Sequence, residues 1–165
     1  MKRIISLALV IVLMIGLTGC TNKLTENNNQ ENQNNQNKNS NNINESNNIV
    51  ITLDGKEVTG VLLDTELASE IKKHFPLTVK MVKYGNREYY GGIDFEPTNK
   101  IGGKKSFEDG DITYCPQNNT LAIFYNGSEM PNLTMDVIKI GEVTSDLDVF
   151  YEAGSSEELT FKFAE

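Results

Sequence analysis

An asparagine-rich stretch limits which part of this chain can fold. Residues 21–48 contain 14 asparagines and no aromatic residue, and all 13 aromatic residues lie between Phe75 and Phe163. A segment with almost nothing apolar to bury does not recover the entropy that it loses on ordering. We therefore expect residues 20–48 to be a disordered linker and residues 49–165 to form one small domain. Self-association through the asparagines is an alternative role for the linker.

The residues before this stretch are typical of a bacterial lipoprotein signal peptide. Lys2 and Arg3 precede an apolar run, residues 4–17, and Leu-Thr-Gly-Cys then ends at Cys20. The run is too short to span a bilayer comfortably, because a spanning helix needs about 20 apolar residues. We predict that residues 1–19 are removed. Cys20 would then carry a diacylglycerol that anchors the protein to the extracytoplasmic face of the cell membrane.

The charge and the cysteine count exclude several classes of function. The net charge of −8 becomes more negative when Lys2 and Arg3 leave with the signal, so nucleic acid is not an expected partner. No histidine cluster or glycine-rich phosphate loop is present, and we predict neither a metal site nor a cofactor. With Cys20 lipidated, Cys115 has no partner for an intrachain disulfide, and its role stays open.

Hydrophobic periodicity changes at Ile49 and predicts mainly strands from there onwards. Asp54-Gly55 and Gly85-Asn86 are turn pairs between alternating segments, which is the pattern of two hairpins. Gly91-Gly92 is expected to break the ladder after the second hairpin. The predicted strands are residues 49–53, 57–62, 77–84, 87–90, 112–115, 120–125, 136–143 and 159–163.

Two short helices accompany these strands. The first follows Asp64, a plausible N-cap, and ends at Phe75 because Pro76 cannot continue it; its apolar face is Leu67, Ala68, Ile71 and Phe75. The second is expected within residues 145–151. Eight short strands in a continuous antiparallel meander have open edges unless the sheet closes. The fold class predicted is therefore mainly β, a small closed eight-stranded antiparallel barrel with the two helices plugging its ends.

Four segments of the domain carry a family resemblance. The sequence resembles the bacterial cyclophilin-like domain family in residues 75–78, 110–114, 121–125 and 140–143. The resemblance covers most of residues 49–165. It implies a cyclophilin-like eight-stranded barrel with two helices. It also makes peptidyl-prolyl isomerase chemistry the catalytic alternative to consider.

Such an isomerase needs a hydrogen-bond donor for the prolyl nitrogen beside an apolar pocket that grips the ring. Arg87 is the only arginine after Arg3, and we expect Tyr89 on the same face two residues later. The chain has no tryptophan and no match to the Phe-His-Arg or Phe-Met-x-Gln-Gly-Gly segments of cyclophilins, which argues against catalysis. The candidate ligand cleft consists of Met81, Tyr84, Arg87, Tyr89, Tyr114 and Phe124.

These expectations combine into one predicted function and two alternatives. The sequence predicts a membrane-tethered extracytoplasmic lipoprotein whose barrel binds a peptide, a protein or a small molecule without catalysis. One alternative is a peptidyl-prolyl isomerase that assists the folding of exported proteins. The other is an interaction subunit of a larger surface assembly that uses the outer face of the barrel.

Overall fold

The computed structural model describes residues 47–165. The predicted signal peptide, Cys20 and the linker up to residue 46 lie outside the described residues. Within residues 47–165, no helix is long and apolar enough to cross a membrane.

The predicted mainly β architecture is confirmed, because the eight strands close into an antiparallel barrel accompanied by two short helices. In chain order the elements are β1 (Asn48–Leu53), β2 (Lys56–Leu62), α1 (Glu66–Lys72), β3 (Leu77–Tyr84), β4 (Glu88–Gly92), β5 (Asp111–Cys115), β6 (Thr120–Phe124), β7 (Ile138–Val143), α2 (Asp148–Glu152) and β8 (Ser156–Phe163).

The strand order differs from the predicted meander. Around the barrel the strands follow the order β1-β2-β7-β5-β6-β4-β3-β8, and β8 pairs with β1 to close it. Only the pairs β1–β2, β3–β4 and β5–β6 are hairpins within the described residues. Short turns fix each hairpin locally, whereas the longer connections let a hairpin pair with a strand that is distant in sequence. Local patterns therefore predict the hairpins but not their arrangement.

The first hairpin turn has the geometry that its sequence predicts. Asp54 and Gly55 have φ values of 48° and 71°, which suit the tight turn that matches the twist of paired strands. The prediction that Gly91 and Gly92 break the ladder is wrong, because β4 continues through both residues, which pair with β6. Gly91 is needed there for close packing, since a Cβ atom on it would lie 2.3 Å from the backbone oxygen of Lys80.

Helix α1 starts one residue later than predicted and ends three residues earlier. Its N-cap is Thr65 rather than Asp64, because the extended backbone of Thr65 lets its hydroxyl accept a hydrogen bond from the Ala68 amide at 3.2 Å. The helix ends at Lys72 instead of Phe75. The predicted apolar face is confirmed at Leu67, Ala68 and Ile71, which are buried.

The barrel interior is filled by inward side chains from the strands and by one face of each helix. Ile49, Ile51 and Leu53 of β1 and Leu159 of β8 are fully buried in this inner cluster. Helix α2 contributes Phe150, whose ring stacks against Tyr125 with centroids 5.9 Å apart. Burial of this kind is the main favourable term in folding, so these residues specify the barrel.

Candidate functional site

A groove lies on the outer face of the barrel at β4 and β6. Its volume is about 300 Å³, and one wall is the segment 132–137 that precedes β7. This segment is held in place by the stretch before β5, because Leu133 donates its backbone N–H to Lys105 at 3.0 Å and Lys104 pairs with Val137. The groove is lined by Tyr84, Arg87, Glu88, Tyr90, Cys115, Asn118, Thr120, Ala122, Phe124, Asn132, Leu133, Thr134, Met135 and Val137.

The floor of the groove follows from strand pairing. Tyr90 of β4 lies opposite Ala122 of β6, and Glu88 lies opposite Phe124. All four side chains are on the outer side, because side chains alternate between the two faces of a strand. Phe124 and Ala122 are nevertheless buried, since they form a second apolar cluster with Phe107, which stacks on Phe124 at 4.1 Å between ring centroids. We call this set of Phe107, Ala122 and Phe124, with the adjoining Leu133, the outer cluster.

Arg87 is fixed at one end of the groove. Its Nε donates to the Glu88 carboxylate at 2.7 Å. Its guanidinium carbon lies 5.3 Å from the ring centroid of Tyr84, 5.7 Å from that of Phe107 and 5.9 Å from that of Phe124. Such cation–π contacts attract the guanidinium to the rings. No atom of residues 47–165 accepts a hydrogen bond from its Nη groups, so they are available as donors to a ligand carbonyl.

The structure brings together three of the six predicted cleft residues. Tyr84, Arg87 and Phe124 line the groove. The other three do not line it, because Met81, Tyr89 and Tyr114 are fully buried inside the barrel. In particular, Arg87 and Tyr89 do not share a face: Arg87 lies in the turn before β4, where strand alternation does not apply.

Tyr89 and Tyr114 support the barrel from within. The Tyr89 hydroxyl donates to the backbone oxygen of Gly154. Burial, with smaller contributions from Tyr125, Glu157 and Asp54, raises the pKa of Tyr89 to about 12. The Tyr114 hydroxyl donates to the Asn119 side chain at 2.9 Å, and burial raises its pKa as well.

The groove also contains residues that sequence reasoning missed. Tyr90 was detectable in principle, because the adjacent tyrosines 89 and 90 must point to opposite faces of one strand. The sequence of residues 132–137, which form one wall, has no hydrophobic periodicity from which this position could have been predicted. Cys115 faces the groove from the end of β5 and is 5 % exposed, with its sulfur 3.5 Å from the Gln117 side-chain oxygen.

A second depression at the start of α1 offers no comparable site. Two of its three carboxylates are already engaged, since Glu70 accepts hydrogen bonds from the backbone and hydroxyl of Thr98 at 2.6 Å and Glu66 accepts one from Asn99. Among residues 47–165, no three histidine, cysteine, aspartate or glutamate side chains cluster so as to hold a metal ion.

A closed eight-stranded antiparallel barrel with two helices and a groove on its outer face defines a protein with the cyclophilin-like fold. Residues 51–162 match the cyclophilin-like family, and the chain belongs to that family. A hypothetical protein from Archaeoglobus fulgidus, whose solution structure is known, has a similar fold with a TM-score of 0.61. It is 16 % identical in sequence, and the match covers 73 % of this chain and 96 % of that protein. No curated protein matches the sequence.

Proposed function

We propose that this protein is a membrane-tethered extracytoplasmic lipoprotein whose barrel binds a peptide or a small ligand in the outer groove, without catalysis. The observation that carries the proposal is the Arg87 guanidinium, held by aromatic rings at the end of a mostly apolar groove. Ligand sites commonly combine apolar walls with a few fixed polar groups, and their volumes start at about 300 Å³.

The charges at the groove favour a ligand with a neutral polar group next to Arg87. Arg87 and Glu88 neutralise each other at 2.7 Å, and the Glu88 side chain is 12 % exposed. An anionic ligand at Arg87 would approach this carboxylate closely and be repelled by it. An amide carbonyl accepts from the Nη donors without that cost. Capped peptides and neutral amides are therefore the compounds to screen first.

The position of the groove is compatible with a tether at the N-terminus. The described chain enters at Asn47 and continues into β1, which lies four strands from β6 in the barrel order in either direction. The groove is consequently on the side of the barrel away from the first strand.

Binding is tested with a matched pair of variants of the full-length chain. A thermal-shift screen of capped peptides and small metabolites identifies ligands, which are then titrated against Arg87→Ala and Lys162→Ala. Lys162 is an exposed cation on β8 that pairs with Glu57 at 2.8 Å and does not line the groove. We expect Arg87→Ala to weaken binding and Lys162→Ala to leave it unchanged. Equal binding by wild type and Arg87→Ala would overturn the placement of the site.

The tether is tested separately through Cys20. Replacing Cys20 by alanine removes the thiol that would receive the lipid, so the protein should move from the detergent-rich to the aqueous phase on phase partitioning. The barrel should remain folded, because residues 47–165 form its core without that segment. A Cys20→Ala protein that stays in the detergent phase would contradict lipid anchoring.

One observation favours peptidyl-prolyl isomerase activity as the second candidate. The Arg87 guanidinium carbon is 5.9 Å from the Phe124 ring centroid, and both residues line the groove with Leu133; isomerisation requires a donor next to a pocket for the ring. A protease-coupled assay with a short prolyl peptide decides between binding and catalysis. We expect no acceleration at micromolar protein; an acceleration that Arg87→Ala abolishes would establish the isomerase instead.

A further inference from the structure

We propose that Met135 is an oxidation site through which peroxide closes the groove to apolar ligands, an inference that rests on the groove being the ligand site. Met135 lines the groove and is 37 % exposed. Its sulfur is 3.4 Å from the Asn118 side-chain nitrogen, and Asn118 lines the groove as well. The side chain is thus partly exposed to solvent, and its sulfur is placed next to a hydrogen-bond donor.

The two other methionines within residues 47–165 serve as references for how solvent exposure affects methionine oxidation. Met81 is fully buried in the barrel, whereas Met130 is 76 % exposed on the loop before the groove wall and is not a lining residue. Oxidation of methionine follows access to the sulfur. We therefore expect Met130 and Met135 to react in the folded protein and Met81 to be protected.

The reaction is a two-electron oxygen transfer. A lone pair of the Met135 sulfur attacks one oxygen of hydrogen peroxide, the O–O bond breaks, and a sulfur–oxygen bond forms. Proton transfer to the departing oxygen yields water, so the sulfur is oxidised and the peroxide is reduced. The product is methionine sulfoxide, which methionine sulfoxide reductases convert back.

The sulfoxide changes the groove in two ways. Its oxygen is a stronger acceptor than a thioether sulfur, so the existing contact from Asn118 becomes a stronger hydrogen bond. Asn118 is in the β5–β6 turn and Met135 is in the wall segment 132–137, so this bond ties the two segments together. The apolar wall also becomes polar, which disfavours an apolar ligand group.

The test uses the full-length chain treated with increasing hydrogen peroxide, and the dye ANS as the probe of exposed apolar surface. Mass spectrometry of peptides reports the oxidation of Met81, Met130 and Met135. We expect the ANS emission of wild type and of Met130→Leu to fall as Met135 is oxidised, and to return after treatment with methionine sulfoxide reductase. Met135→Leu should keep its ANS emission at the same peroxide concentrations.

A second readout does not depend on dye binding. The side-chain amide signals of Asn118 in a ¹H–¹⁵N spectrum should shift on oxidation in wild type and not in Met135→Leu. A Met135 that stays reduced while Met130 is oxidised would overturn the proposal, as would equal loss of ANS emission in wild type and Met135→Leu. Absence of ANS emission before oxidation would instead contradict the groove as a binding site, while the peptide masses and Asn118 signals would still decide the oxidation site.

Discussion

Strands β8 and β6 both present apolar side chains to the barrel interior, but they differ in the side chains on their outer faces. On β8, the inward residues Leu159 and Phe161 are buried, and the outward Thr160 shares a hydrogen bond with Thr78 at 2.8 Å. On β6, the inward residues are equally apolar, but the outward Ala122 and Phe124 are buried too. Polar outer side chains can hydrogen-bond to water, whereas apolar outer side chains are favourable only when other residues shield them from water.

The outer apolar side chains of β6 are only partly covered by neighbouring segments. This incomplete cover distinguishes the candidate site from the rest of the barrel. Phe107 and Leu133 pack on Ala122 and Phe124 of β6 but leave the groove between Phe124 and Met135. The inner cluster, by contrast, is enclosed on all sides by strands and by the two helices. We infer that inner residues determine stability and that outer apolar residues at β4 and β6 determine binding.

The largest expected effect comes from removing an inner strand. A chain that starts at residue 54 lacks Ile49, Ile51 and Leu53, each fully buried, and exposes the edges of β2 and β8. Burial alone is worth about 1.5 to 3 kcal/mol for each of these side chains. Urea melts should therefore show a loss of several kcal/mol relative to a chain that starts at residue 47, which should melt like the full-length protein. Equal stability of the two shortened chains would contradict the assignment of β1 to the core.

The same substitution in the two clusters should have unequal costs. Phe150 and Phe124 are both almost fully buried, one in the inner and one in the outer cluster. Phe150→Ala leaves an enclosed cavity and should cost about 3 to 5 kcal/mol. Phe124→Ala enlarges an open groove, so only the transfer free energy of about 1.5 to 3 kcal/mol is lost.

Urea denaturation of both variants measures these free energies of unfolding. Phe150→Leu and Phe124→Leu serve as controls for shape, and each should lose less than the alanine variant at its position. A Phe124→Ala variant as destabilised as Phe150→Ala would mean that the outer cluster is part of the closed core.

Alkaline pH should destabilise the inner cluster through Tyr89. Its pKa is about 12 in the folded protein, above the ordinary value of 10.0 that applies when it is unfolded. The unfolded state therefore releases the proton first, and stability is complete below pH 10 and falls as the pH rises towards 12. The loss attributable to Tyr89 is on the order of 1 to 3 kcal/mol. Urea melts between pH 9 and pH 11.5 should show a shallower decline for Tyr89→Phe; identical declines would disprove the assignment.

The smallest stability effect is expected at the groove itself. Arg87→Ala removes a partly exposed ion pair with Glu88, and such pairs contribute about 0 to 1 kcal/mol. The variant should thus have nearly the same urea midpoint as wild type although its groove is altered. A loss of several kcal/mol would show that Arg87 is a structural residue of the outer cluster.

Sequence patterns predicted the scaffold well because its determinants are local. The turn residues 54–55, the apolar face of α1 and the alternation in β8 each reflect contacts within a short segment. The strand order was not predictable in the same way, since β4 pairs with β6 and β2 with β7 across long connections. Those pairings depend on contacts between residues far apart in sequence.

The site was only partly predictable for a related reason. An aromatic residue on a strand fits either the core or an outer groove, and only the face decides between them. Tyr114 and Phe124 illustrate this, because the first points into the barrel and the second points out. The turn before β4 also separates Arg87 from the alternation that places Tyr89 inside.

The central claim is that ligand binding occurs at the outer face of β4 and β6 and nowhere on the polar side of the barrel. The direct measurement is a ¹H–¹⁵N titration of the protein with the tightest ligand from the screen. The backbone signals of Tyr90, Thr120 and Ala122 should shift, while those of Thr160 and Lys162 should stay unchanged. Shifts confined to β8, or spread evenly over both sides, would contradict the account.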